Sequence, residues 1–207
     1  MCFSASASFT ASWFLATIGI AVLTKIKKPS QSMFAAIPLL FATQQGFEGL
    51  LWLSFTNNNL ASLQPFFTYG FLFFAFVVWP AWIPLSLWVQ ESNISRKKIL
   101  FFFIAIGITT SLSLLGFLVY AGTQSSIIEY HIWYKTELPQ ILYYVGTLFY
   151  ISATVGPFFS SSIKYAKFFG CVLGISYLIS YYWYYSVLIS VWCFFAALLS
   201  AILLVIV

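Results

Sequence analysis

The sequence predicts an all-α fold: a polytopic membrane protein built as a bundle of seven transmembrane helices, in a single domain spanning residues 1–207. Three observations predict it. Of the 207 residues, 62% are hydrophobic and only 6% are charged, whereas soluble domains carry about 25% charged residues. Apolar stretches of about 20 residues, long enough to cross a hydrocarbon core as a helix, recur along the whole chain. The basic residues gather in alternate loops, as they do when Lys and Arg stay on the cytoplasmic side of a bilayer. Mean hydropathy is +0.96, and no stretch is long enough for a separate soluble domain. The net charge of +5 is therefore a topology signal. It implies a lipid bilayer as partner and no nucleic acid.

The elements follow in order. Span one covers 8–24, and no basic residue precedes it. A cleavable signal peptide opens on positive charge, so this helix is expected to be retained. Lys25, Lys27 and Lys28 follow in the loop 25–32. Span two, 33–55, contains Gln44, Gln45 and Glu48. Span three, 65–88, contains Trp79-Pro80-Ala81-Trp82-Ile83-Pro84; its prolines remove backbone donors and kink the helix. Arg96, Lys97 and Lys98 lie in the loop 89–98, before span four at 99–121. The loop 122–137 is the longest and most polar, with Glu129, His131 and Glu137. Span five covers 138–159, span six 166–183 and span seven 187–206, with Lys164 and Lys167 at the join of five and six. Eight of the nine basic residues thus fall in or beside three alternate loops. An odd number of spans puts the N-terminus outside and the C-terminus in the cytoplasm. Trp13, Trp52, Trp133, Trp183 and Trp192 are expected in the outer aromatic belt, and Trp79, Trp82 and Trp88 toward the inner one.

Glu48 is the residue with the most chemistry. A carboxylate inside a span costs roughly 2.5–3.5 kcal/mol by insertion scales, so it faces a cavity or a partner. Gln44, Glu48 and Trp52 follow at i, i+4 and i+8 and share one helix face. With Gln45 and Trp192 they outline a polar pocket in the outer half of the bundle, and a buried network that locks helix packing is the plainer alternative. Cys2, Glu48 and His131 offer a zinc-type donor set, with Cys193 or Glu129 as a substitute. Zinc or copper is the cofactor this reading admits. The ligands are far apart in sequence and show no short metal spacing. Cys2 and Cys193 can instead pair as a disulfide, and Cys171 reads as a buried apolar thiol.

Several known designs lack their parts here. No lysine follows Lys167, so a retinal Schiff base in span seven is excluded, and one histidine cannot ligate a haem from both sides. Zinc hydrolases of the ceramidase type need several histidines. Gly174-Ile175-Ser176 has no histidine after it, unlike a rhomboid active site. Pro139-Gln140 has no matching pair in span one, unlike the PQ-loop sugar transporters.

The opening Met1-Cys2-Phe3-Ser4-Ala5-Ser6-Ala7-Ser8-Phe9 resembles the start of a family of small bacterial multi-pass membrane proteins, DUF6629. So do Pro38 through Trp52, Ser152 through Ser161, and Ser190 through Ala197. The resemblance implies the helical architecture and adds weight to Cys2, Glu48, Trp52 and Cys193. It implies no activity. Family members often carry His-Gln where this chain has Gln44-Gln45, which removes a metal ligand at position 44. Three functions are therefore carried forward: a pocket opening to the outer face, metal-binding or not; transport of a small solute, proton or cation through Glu48; and a sensor or partner subunit, in a homo-oligomer or with another membrane protein.

Overall fold

The computed structural model describes residues 4–135 and 140–206. Among these the chain forms seven long helices: α1 (Ala5–Leu23), α2 (Ile37–Thr56), α3 (Ala61–Gln90), α4 (Ile94–Ala121), α5 (Ile141–Ser160), α6 (Ala166–Trp183) and α7 (Tyr185–Val205). The all-α expectation holds. Five of the seven are long and apolar enough to cross a membrane. The two that fall short are α2 and α6. Gln44, Gln45 and Glu48 interrupt α2, while α6 opens near Lys167 and closes on Tyr181, Tyr182 and Trp183. A helix with such a polar middle is stable in lipid only when other helices surround it. That is where α2 lies, with Phe41, Gln44, Gln45, Glu48, Leu51 and Trp52 all buried.

Local chemistry starts the helices. Ser4 Oγ accepts from the Ala7 N–H at 3.2 Å to cap α1, and Asn93 Oδ1 accepts from the Arg96 N–H at 3.1 Å to cap α4. The expected kink in α3 takes a specific form. Its residues Phe74–Val78 widen into a π-helical segment immediately before Pro80. Neighbouring helices cap the displaced carbonyls: Ser111 Oγ of α4 donates to Val77 O at 2.7 Å, and the Tyr150 hydroxyl of α5 donates to Ala75 O. Pro84 leaves the Pro80 carbonyl without its usual helical donor. That carbonyl packs directly on Gly107, where a Cβ would overlap it.

Contacts between loops sort the two ends of the bundle. At one end, Lys25 Nζ donates to Leu204 O at 3.2 Å, joining the first basic loop to the end of α7. The buried carboxylate of Glu91 joins the second and third. Its Oε1 accepts from the Ser92 N–H (3.0 Å), the Asn93 N–H (2.9 Å) and Ser162 Oγ (2.7 Å), and Oε2 accepts from the Ser162 N–H (2.7 Å). The three basic loops and the C-terminal residues therefore share one end, and Ser4 lies at the other.

The opposite end carries an element that the sequence reading treated as loop. Strands β1 (Gln124–Ile128) and β2 (His131–Lys135) form an antiparallel hairpin with Ile128 opposite His131. The two-residue turn is Glu129-Tyr130, with Glu129 at φ 54°. Turns of this length favour Asn-Gly or Asp-Gly, so the usual sequence signal is missing. Ile132 and Tyr134 point into the bundle, where Tyr134 stacks on Phe71 at 4.9 Å between ring centroids. Gln64 Nε2 donates to Ser125 O at 3.1 Å, the Thr68 and Ser125 hydroxyls are 2.7 Å apart, and the Tyr69 hydroxyl accepts from the Thr123 N–H at 3.2 Å. The hairpin is thus sewn to the start of α3.

Three local expectations are corrected. Trp52 and Trp192 are buried inside the bundle and do not join an interfacial belt, whereas Trp13 and Trp183 are exposed on its periphery. Trp79 is buried as well, because α2 supplies its N–H with an acceptor. Cys171 is exposed on the outer surface of α6 and is not a buried thiol.

Candidate functional site

The face predicted from i, i+4, i+8 spacing is the inner face of α2. Glu48 is fully buried, and its Oε1 accepts from Ser190 Oγ of α7 at 2.6 Å. One turn away, Gln44 Oε1 accepts from Trp79 Nε1 of α3 at 2.8 Å. The Trp79 ring stacks on Phe41 at 3.8 Å, which fixes the direction of that N–H. Cys193, three residues after Ser190 and so on the same face of α7, is a buried free thiol lying against Gln44 and Glu48. Helices α2, α3 and α7 therefore meet around one carboxylate, one amide, one hydroxyl and one thiol.

Gln45 belongs to the next face, toward α1. The two helices pack closely there: Ser12 Oγ donates to Ala42 O at 2.7 Å, and a Cβ on Gly49 would lie 2.8 Å from the Phe9 ring. Several polar atoms on these two faces are buried without a hydrogen-bond partner among the described residues. They are Ser8 Oγ, Gln44 Nε2, both amide atoms of Gln45, Trp52 Nε1 and Trp192 Nε1. Each such atom costs about 1–3 kcal/mol. Their concentration around one helix makes this the place where polar atoms from water or ligand are worth most.

The cluster backs onto a cavity of about 660 Å³. Cys193 and Trp192 of α7 form part of its inner wall, and Ala75 and Phe76 of the π segment form another part. Its mouth lies between α4 and α5. These helices touch toward the basic end, where a Cβ on Gly156 would come 2.6 Å from the Phe103 ring. Beyond that contact they bound the cavity, whose α5 wall carries the exposed side chains Leu142, Val145 and Phe149. The opening is thus on the side of the bundle, at the depth of apolar spans, and the hairpin covers the end. Ile132 and Tyr134 share one apolar cluster with Leu51, Trp52, Phe71 and Cys193. No Lys, Arg, His, Asp or Glu lines the cavity among the described residues. The edges of Tyr150 and Tyr177 meet the Trp192 ring at 5.7 Å and 5.1 Å.

The structure unites Gln44, Glu48 and Cys193, places Trp52 on the same stripe of α2 and Trp192 on the cavity wall, and turns Gln45 toward α1. His131 sits in β2, buried edge-on to Tyr184 at 5.4 Å. Burial holds its pKa below the usual histidine value, and Glu129 pulls the other way. Among the described residues no group of three His, Cys, Asp or Glu side chains is placed to hold a metal. Cys2 and Glu137 lie outside the described residues. Ser190 and Trp79 are participants that sequence reasoning missed. Ser190 had a legible signal, since it shares the Cys193 face at i, i+3; Trp79 had none beyond its place beside Pro80.

No curated protein and no solved structure matches the chain at a significant level. A family model does match, over residues 1–207. With that match over the whole chain, and with five apolar helices of membrane-spanning length, the chain belongs to DUF6629, a family of unknown function.

Proposed function

We propose that this protein binds a hydrophobic molecule drawn sideways from the bilayer into the cavity between α4 and α5, with the Glu48 cluster as the polar wall behind it. One observation carries the reading: an apolar and aromatic cavity of about 660 Å³, open at the depth of the spans, has on its inner wall the thiol that lies against Glu48. Binding sites are typically apolar cavities of this size with a few convergent polar groups. The basic end faces the cytoplasm under the positive-inside rule, which puts the hairpin and Ser4 outside.

Gly146→Trp tests the reading. Gly146 lines the cavity, and a Cβ there meets nothing within 4 Å. The indole is expected to fill the space and abolish uptake of a fluorescent hydrophobic probe by the detergent-purified protein, with little change in melting temperature. Undiminished uptake in a folded Gly146→Trp protein overturns the proposal.

The unpartnered buried amide of Gln45, and the Gln44 Nε2 beside Glu48, favour a second reading, in which Glu48 relays protons or cations. Liposomes with an internal pH dye decide it: flux that survives Glu48→Gln removes this residue from any relay. A metal centre would need a ligand beyond Glu48 and Cys193. Zinc or copper that purifies with the protein and is lost in both Glu48→Gln and Cys2→Ser would supply the missing donor.

A further inference from the structure

We infer that the seam between the starts of α4 and α6, at the basic end of the bundle, binds the phosphate head of an anionic phospholipid. This site is separate from the cavity and does not depend on what the cavity holds. Charge comes first. Eight of the nine basic residues gather at this end, and the chain has only four acidic residues. Glu48 is buried against Ser190 inside the bundle, Glu129 sits in the hairpin turn at the opposite end, and Glu137 lies outside the described residues. Glu91 is the one described carboxylate among the basic loops, and neutral donors occupy both its oxygens: the Ser92 N–H, the Asn93 N–H and Ser162 Oγ on Oε1, and the Ser162 N–H on Oε2. Among the described residues this leaves Arg96, Lys97, Lys98, Lys164 and Lys167 without a carboxylate partner. Placement comes second. Glu91 bonds to Asn93, just before α4, and to Ser162, shortly before α6, so it brings Arg96–Lys98 and Lys164–Lys167 to one seam. Lys97 Nζ lies 4.5 Å from the centroid of the Trp88 ring, and Lys164 Nζ 4.8 Å from that of Tyr165. A ring face steadies an ammonium group and leaves its N–H donors for the oxygens of an anion. Depth comes third, and it selects a lipid over a free anion. Trp and Tyr collect at the headgroup level of a bilayer. Immediately beyond the cations, the same two helices expose Ile99, Phe101 and Phe102 on α4 and Phe168 on α6. A ligand that covers this surface needs an anionic head with apolar chains directly beneath it. A phospholipid has both, and free phosphate lacks the second.

The test uses the full chain in detergent, with native mass spectrometry comparing phosphatidylglycerol and phosphatidylcholine of the same acyl chains. Each Lys or Arg beside an anionic headgroup is worth about fivefold in affinity. Wild type is therefore expected to prefer phosphatidylglycerol by about tenfold or more, and Lys97→Gln/Lys164→Gln to lose about that factor. No preference in wild type overturns the inference. Lys25→Gln/Lys27→Gln removes the same charge from the first basic loop and is expected to have little effect. Equal losses in the two double variants would mean diffuse attraction to the whole end, and the site at the seam falls. Lys98→Glu/Lys167→Glu changes two exposed side chains and gives a second reading should the first variant not fold; unchanged retention of phosphatidylglycerol there overturns the inference. Gly146→Trp is expected to keep the wild-type preference. Its loss in that variant would put the lipid in the cavity, which overturns this site and leaves the binding reading standing. Inorganic phosphate in large excess is expected not to displace the lipid. Displacement would make a free anion the occupant and overturn the lipid assignment.

Discussion

Glu48 carries a carboxyl that costs about 2.5–3.5 kcal/mol inside a span, and the side chains around it explain how the fold keeps it. Ser190 donates to one oxygen, and the same stripe holds the Gln44–Trp79 pair. The Gln44–Trp79 bond can be tested alone. Trp79→Phe keeps an aromatic ring against Phe41 but removes the donor to a fully buried carbonyl oxygen. It is expected to cost about 1–3 kcal/mol, read as a lowered midpoint in thermal melts. Glu91, at the opposite end, is a carboxylate the fold stabilises outright. Burial pushes its pKa up, but the Asn93, Ser162 and Ser92 hydrogen bonds together outweigh this and hold it below the ordinary value of 4.5. The sign follows: the depressed pKa contributes stability above pH 4.5 that is lost as pH falls through the lower folded value. Wild type should therefore melt above Glu91→Gln at pH 7, and the gap should close as the pH falls through the depressed folded value. A constant gap across that range would show that Glu91 acts through packing alone.

Among the elements, α3 governs the shape of the cavity. Its π segment puts Ala75 and Phe76 on the wall, and the carbonyls it displaces are capped by Ser111 and Tyr150. Glycine at 107 lets the Pro80 carbonyl approach α4. Gly107→Ala forces these helices apart and is expected to cost about 1–3 kcal/mol, the usual penalty for overpacking. Gly116→Ala on the same helix, where a Cβ meets nothing within 4 Å, is expected to be neutral. Equal melting temperatures for the two variants would mean that α3 and α4 adjust without strain. The proline pair announced a kink, but propensity does not say whether a proline helix bends, widens or breaks. That choice depends on which neighbours can cap the freed carbonyls, and those neighbours come from α4 and α5.

For the whole molecule, the hairpin closes one end and the side remains open. Cys193 reports on this. In a protein lacking Cys2 and Cys171, wild-type Cys193 is expected to resist a membrane-impermeant maleimide. Tyr134→Ala removes the ring stacked on Phe71 and should raise the labelling rate at least several-fold; equal rates would show that the hairpin does not seal the end. The two ends of the bundle were legible before any coordinates. Alternating basic loops put Lys25, Arg96 and Lys164 together, and Glu91 and Leu204 join those loops in the structure. The hairpin was illegible, because a five-residue strand pair with Glu129-Tyr130 at its turn looks like any polar loop.

Composition and periodicity, which act locally, determined that the chain is helical and apolar, where its long helices run, and that Gln44, Glu48 and Trp52 share one face. These follow from the 3.6-residue repeat and the cost of polar groups in hydrocarbon, and neither needs a partner helix to be known. Only the tertiary structure decided that Ser190 and Trp79 serve that face, that Trp52 and Trp192 are interior, and that the cavity opens between α4 and α5. Those outcomes depend on how helices pair and where they diverge. Pairing is set by surface relief at contacts such as Gly107 on Pro80 and Gly156 on Phe103, between residues tens of positions apart, and no local pattern encodes it.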